Sequence, residues 1–135
     1  MTDPNLDTLA RADAARLKAV AEALLPRLDG IEVLQNRTGL VMLPMRDTVE
    51  GTAFHLGEVL VSEAHIRMGD LQGYGMRKGY DLEAAMAMAV LDLALSSGDC
   101  AEAEAFCVRE RATLAEADSE VLRRVEATRV NMETF

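Results

Sequence analysis

The sequence predicts an α+β fold: N-terminal helices, a mainly antiparallel sheet of about four strands, then two C-terminal helices. Three observations carry this expectation. Apolar residues recur at three- and four-residue steps before Asp29-Gly30. The middle of the chain is cut by Gly and Pro into apolar runs, and the helical period returns after Asp81. At 135 residues, the chain has the length of one domain, residues 1–135, with one modest core.

The first helical stretch carries Leu6, Leu9, Leu17, Val20, Ala21 and Leu24. Pro4 suits a first helical turn, and Asp13 is placed to cap a second helix starting at Ala14. Pro26 ends or bends that helix. Residues 31–35 and 40–45 read as two strands around a turn at 36–39. Pro44, which lacks an N–H, places the second of them at an edge. Residues 54–68 form the longest strand, long enough to contain a bulge or bend. Gly69-Asp70 then turns the chain so that residues 71–76 pair back as a hairpin. Asp81 is an N-cap for a helix whose apolar face is Leu82, Met86, Ala89, Val90 and Leu93. Gly98 stops it, and Asp99 with Glu102 resembles a capping box for a final helix to about Glu126.

Composition narrows the function classes. Lys plus Arg is 14 and Asp plus Glu is 23, a net charge of −9. Nucleic acid and anionic membranes both attract clustered cations, so neither is an expected partner. From Asp81 onward there are 12 acids and 5 bases, so −7 of the −9 lies on the C-terminal helices. These acids are a solvated face or a docking face for a basic partner. No apolar run approaches the roughly 20 residues of a membrane span. The first residues hold Asp3 and Asp7 and no apolar secretory stretch, so the expected location is cytoplasmic.

The residues alone show no self-sufficient catalytic set. Cys100 and Cys107 on one helix lie roughly 10 Å apart, too far for a disulfide, and no zinc spacing is present. His55 and His65 on one unbroken strand lie about 33 Å apart and cannot share a metal. No metal site is therefore expected. Gly73, Gly75 and Gly79 precede a helix and read as hairpin glycines or as a phosphate cradle. Asp81 at the helix cap disfavours an anion there. Arg46, Arg67, Arg77 and Lys78 are the cations near that stretch.

Several segments together resemble the PhnG family, a subunit of the bacterial carbon–phosphorus lyase system. Thr38-Gly39-Leu40-Val41-Met42 is similar to the family's GLVM strand. The eight residues from Phe54 to Val61, FHLGEVLV, resemble its FNLGE segment, with His55 where Asn is usual. Ile66-Arg67-Met68, then Gly73-Tyr74-Gly75 with Gly79-Tyr80-Asp81, and finally Ala127-Thr128-Arg129-Val130-Asn131 follow in the family's order. Tyr80 replaces the usual Arg before Asp81, and the family's early Trp is absent.

The resemblance implies a function that composition and spacing do not reach. PhnG acts with PhnH, PhnI and PhnL, so that methylphosphonate displaces adenine from ATP to give ribose 1-methylphosphonate 5-triphosphate. It also joins a core assembly with PhnH, PhnI and PhnJ, in which PhnI carries the nucleosidase chemistry. The expected role is a non-autonomous subunit of a transferase complex, not catalytic alone, with no cofactor of its own and ATP as the complex's co-substrate. Displacement at C1′ passes through an oxocarbenium-like state, which favours a carboxylate near the ribose and cations on the triphosphate. Glu58 is the candidate carboxylate, and Arg67 and Arg129 are the candidate phosphate-facing groups, beside Gly73, Gly75 and Gly79. The alternative is a stand-alone binding protein for a phosphorylated small molecule. A subunit without its partner exposes an apolar interface, so the isolated chain is expected to self-associate, most simply as a dimer.

Overall fold

The computed structural model describes residues 4–46, 53–98 and 100–133, with side chains described for 4–42, 57–98 and 100–128. Helix α1 (Pro4–Arg11) stops short of Asp13, whose carboxylate accepts from the Arg16 backbone N–H at 3.0 Å and so caps α2 (Ala14–Leu24). Pro26 turns the chain through one 3-10 turn, Leu25–Arg27. Arg77, from the sheet, donates to Leu9 O at 2.5 Å and to Ala12 O at 2.7 Å. It thereby satisfies carbonyls that the end of α1 leaves without helical partners. Burial pulls the Arg77 pKa down, against a raising effect from Asp81 and Asp13.

Among the described residues the sheet has three strands in the order β1 (Glu32–Arg46), β2 (Ala53–Met68), β3 (Leu71–Lys78), all antiparallel. This corrects the expected count. The turn anticipated at 36–39 does not form, because Asn36 to Gly39 pair without interruption with Ala64 to Val61. A long partner strand satisfies their backbone groups, and exposed positions tolerate their polar side chains. Among the described residues the register shifts twice, at Leu34 in β1 and at Leu56 in β2. The second is the irregularity that the length of β2 foretold. Pro44 lies on β1, an edge strand, as expected. Gly69, at φ 61°, makes the β2–β3 turn.

Helix α3 (Leu82–Ser97) is the centre of the core. Asp81 caps it by accepting from Ala84 N at 3.0 Å, and Gly98 ends it in the left-handed conformation at φ 73°. The expected single apolar face is too narrow a description. Ala84, Ala85, Ala87, Met88, Ala89, Val90, Leu91, Leu93 and Ala94 are all buried, because the sheet covers one side of α3 and α1 and α2 cover the other. Fully burying a residue such as Leu91 stabilises by roughly 2 kcal/mol.

Helix α4 (Ala101–Glu133) runs past the expected end near Glu126. Ala103, Phe106 and Cys107 join the core, and buried Glu110 accepts from Arg16 Nε at 2.7 Å. Cys100 and Cys107 are buried thiols. Asp99, half of the expected capping box, lies outside the described residues. No single described helix is long and apolar enough to cross a membrane.

Candidate functional site

Because α3 covers one face of the sheet, alternation sends a second set of side chains to the opposite face. Ser62, Ala64 and Ile66 are buried toward α3, so Glu63, His65 and Arg67 point the other way. On β3 the same rule buries Gly73 and Gly75 and turns Gln72 and Tyr74 outward. The register then sets Glu63 opposite Arg37, and His65 opposite Tyr74.

These side chains bond to one another. Tyr74 donates its hydroxyl to Glu63 Oε2 at 2.7 Å, and Arg37 Nε donates to Glu63 Oε1 at 3.2 Å. His65 Nε2 and Gln72 Oε1 are 2.9 Å apart, and the His65 and Tyr74 rings meet edge to face at 6.2 Å. Arg67 Nη2 donates to Glu32 Oε2 at 2.6 Å. The Tyr74 hydroxyl, then Arg37, hold the Glu63 carboxyl below the usual carboxylate range. Burial, with the Glu63 carboxylate beside it, pushes the Tyr74 phenol up to about 12. At neutral pH Glu63 is therefore an anion and Tyr74 a neutral donor. The face can position a polar ligand; Glu63 accepts from two donors and Tyr74 stands as the neutral phenol.

The structure disperses the residues that the sequence singled out. Arg67 belongs to the polar face, paired with Glu32. Glu58 is exposed nine residues along the same strand, so about 30 Å away, opposite Met42. Arg129 lies on α4, and its side chain is outside the described set, as is that of His55. Gly73 and Gly75 face α3 rather than open space. A Cβ on Gly73 would collide with Ala89 O, and one on Gly75 with Ala85 O. Gly79, at φ 94°, donates its N–H to Leu60 O at 2.8 Å. Its carbonyl accepts from buried Ser62, whose hydroxyl also accepts from Asp81 N at 2.9 Å. Arg67 and Arg77 fall on opposite sheet faces and do not form a common cationic patch. Among the described residues no group of three His, Cys, Asp or Glu side chains is placed to hold a metal ion.

A second surface was missed. β3 ends opposite Val61, so β1 and β2 continue beyond it as a two-stranded ribbon. Leu40 is 62 % exposed and Met42 49 % exposed, with Val41 and Leu60 beside them. Isolated exposed apolar residues are ordinary, but Leu40, Met42 and Leu60 share one ribbon face by strand alternation and so form a candidate interaction surface. The signal was the unalternating run from Leu40 to Leu43, read as a strand covered on both faces. Among the described residues, nothing buries its described part, Leu40 to Met42.

Comparison with protein families matches residues 4–135 to the family described as phosphonate metabolism protein PhnG. No curated protein matches the chain.

Proposed function

Because the chain belongs to the PhnG family of phosphonate metabolism proteins, we propose that it is a non-autonomous subunit of a carbon–phosphorus lyase complex. In this reading it supports, with PhnH-, PhnI- and PhnL-like proteins, the displacement of adenine from ATP by methylphosphonate. It also joins the core assembly that includes a PhnJ-like protein. The observation that carries the reading is the projecting ribbon, whose apolar side chains Leu40, Val41, Met42 and Leu60 are exposed among the described residues. A PhnI-like protein is its occupant in the complex.

The chemistry of the polar face supports the same division of labour. Its carboxylates and guanidiniums are matched in pairs, Glu63 with Arg37 and Glu32 with Arg67. A paired Arg67 reaches a phosphate only by exchanging Glu32 for it. That exchange is inexpensive, since an exposed pair is worth no more than about 1 kcal/mol. In this reading Arg67 and Arg129 face the triphosphate, Glu58 acts as a carboxylate at the partner boundary, and Gly73, Gly75 and Gly79 shape the strand and turn behind them.

The test is adenine release from ATP, measured with this chain alone, with the PhnH-, PhnI- and PhnL-like proteins alone, and with all combined. The reading predicts phosphonate-dependent release only in the combination. Turnover by the isolated chain would contradict it. Saturable stabilisation of the isolated chain by a phosphorylated small molecule, without release in the combination, would favour the stand-alone binding protein instead.

A further inference from the structure

A groove between α2 and α3 adjoins the β1–β2 ribbon. Helix α2 lends it Ala21 and Leu25, and α3 lends Leu82, Met86 and Val90, each set at helical spacing. With Asn36 of β1 these residues line an open cavity of about 350 Å³. Asn36 lies opposite Ala64 and Leu40 opposite Leu60, so all four share the sheet face on which α3 packs. The start of α3 is tied to that face, because Asp81 N donates to Ser62 Oγ at 2.9 Å and Gly79 N donates to Leu60 O at 2.8 Å. Leu40, Met42 and Leu60 therefore extend the apolar surface past the N-terminus of α3.

Charge identifies what fits there. The cation of the groove, Lys18, is taken by Asp81 Oδ2 at 3.0 Å. Glu22 and Glu83 line the same groove, and Glu58, opposite Met42, shares the ribbon face with Leu60. Among the described residues none of these three carboxylates has a cation partner. Glu83 has a local purpose, since an acid in the first turn of α3 complements the helix dipole. Glu22 has the reverse: it stands in the last turn of α2, where the dipole disfavours an acid. The apolar surface is thus bordered by three carboxylates that await cations. A second copy of a chain with net charge −9 matches such a border poorly, whereas a segment bearing Lys or Arg complements it.

We propose that the α2–α3 groove and the ribbon together seat a basic amphipathic segment of the PhnI-like partner. Its apolar side chains enter the groove and cover Leu40, Met42 and Leu60, and its Lys or Arg side chains meet Glu22, Glu58 and Glu83. This inference rests on the subunit reading and adds to it the chemistry of the partner segment and a second wall of the seat.

The test measures the affinity of the full chain for the PhnI-like protein at low and at high salt. Wild-type affinity is expected to fall as salt rises. Glu22→Lys is expected to weaken association about tenfold at low salt and to flatten the salt dependence, and Glu22→Gln to do so by less. Glu116→Lys makes the same charge change on exposed α4 and is expected to leave affinity unaltered. Leu25→Asp, at a position 44 % exposed, is expected to weaken binding with unchanged circular dichroism. Wild-type association that is indifferent to Glu22→Lys and to Leu25→Asp, or that responds equally to Glu116→Lys, would overturn this inference and leave the subunit reading standing. No association of the wild type would remove both. Sedimentation velocity of the chain alone covers the remaining occupant: a dimer that Glu22→Lys or Leu25→Asp dissociates would assign the groove to a second copy and overturn the proposal.

Discussion

Tyr74 donates its phenolic hydrogen to Glu63 Oε2 across 2.7 Å, joining β3 to β2 on the sheet face opposite α3. Each partner fixes the ionisation of the other. Replacing Tyr74 with Phe is expected to raise the Glu63 pKa toward its ordinary value, observable by side-chain carboxyl NMR. The same pair sets a limit at alkaline pH. A phenol raised from 10.0 to about 12 contributes stability that is fully present below pH 10 and is lost as pH rises through 12. The wild-type protein is expected to lose stability across that window, and Tyr74→Phe to lose less, as read from denaturant midpoints at each pH.

The two glycines under α3 make a prediction about packing. A methyl group at 75 meets the Ala85 carbonyl, and one at 73 meets the Ala89 carbonyl. Backbone atoms inside a helix cannot swing aside as a flexible side chain does. Gly75→Ala is therefore expected to destabilise by at least the ~1–3 kcal/mol typical of overpacking, and Gly73→Ala by a similar amount. Urea unfolding of both variants checks this. Midpoints equal to the wild type would mean that α3 can move off the sheet.

Asp81 serves two partners: it accepts from Ala84 N at 3.0 Å and pairs with Lys18 Nζ at 3.0 Å. The Lys18 contact, then the Ala84 amide, lower its pKa. A depressed carboxylate pKa contributes stability that is present above the ordinary value of 3.8 and lost as pH falls through the folded value. Asp81→Ala is expected to cost about 1 kcal/mol at neutral pH, the usual loss of an N-cap. Asp81→Asn keeps an acceptor for Ala84 and is expected to cost less while flattening the acid limb of the stability profile.

Much of this fold was legible because its signals are local. Asp13, Pro26, Gly69, Asp81 and Gly98 each act on their own few residues, and each marks a boundary where the structure has one. The unbroken course of β1 through Asn36 to Gly39 was not local. It depends on pairing with residues about 25 positions later, which no window around the turn-like sequence contains. The polar face was half legible. Glu63, His65 and Arg67 alternate with Ala64 and Ile66, which marks an outward strand face. That Arg37 and Tyr74 would meet Glu63 required the register of both neighbouring strands. The helix-facing role of Gly73 and Gly75 was likewise set by α3, from the next segment of the chain.

Arg67 offers a separation of folding from function. Its pair with Glu32 is exposed on both sides, with 45 % and 58 % of the side chains accessible. Arg67→Ala is expected to leave stability within about 0.5 kcal/mol of the wild type. If Arg67 faces the triphosphate, the same change lowers adenine release by the combined proteins by about tenfold or more. Thermal unfolding and the release assay, run on one preparation, read the two effects.

The central claim is that this chain works by docking, and that its ribbon is the docking surface. The measurement that bears on it most directly is co-purification of the tagged chain with the PhnI-like protein of the same genome, comparing the wild type with Leu40→Asp plus Met42→Asp. Both positions are exposed, so the double variant is expected to fold with unchanged circular dichroism. The account predicts a stable complex for the wild type, and loss of the complex together with phosphonate-dependent adenine release for the variant. Undiminished capture of the PhnI-like protein by the variant, or no capture by the wild type, would contradict it.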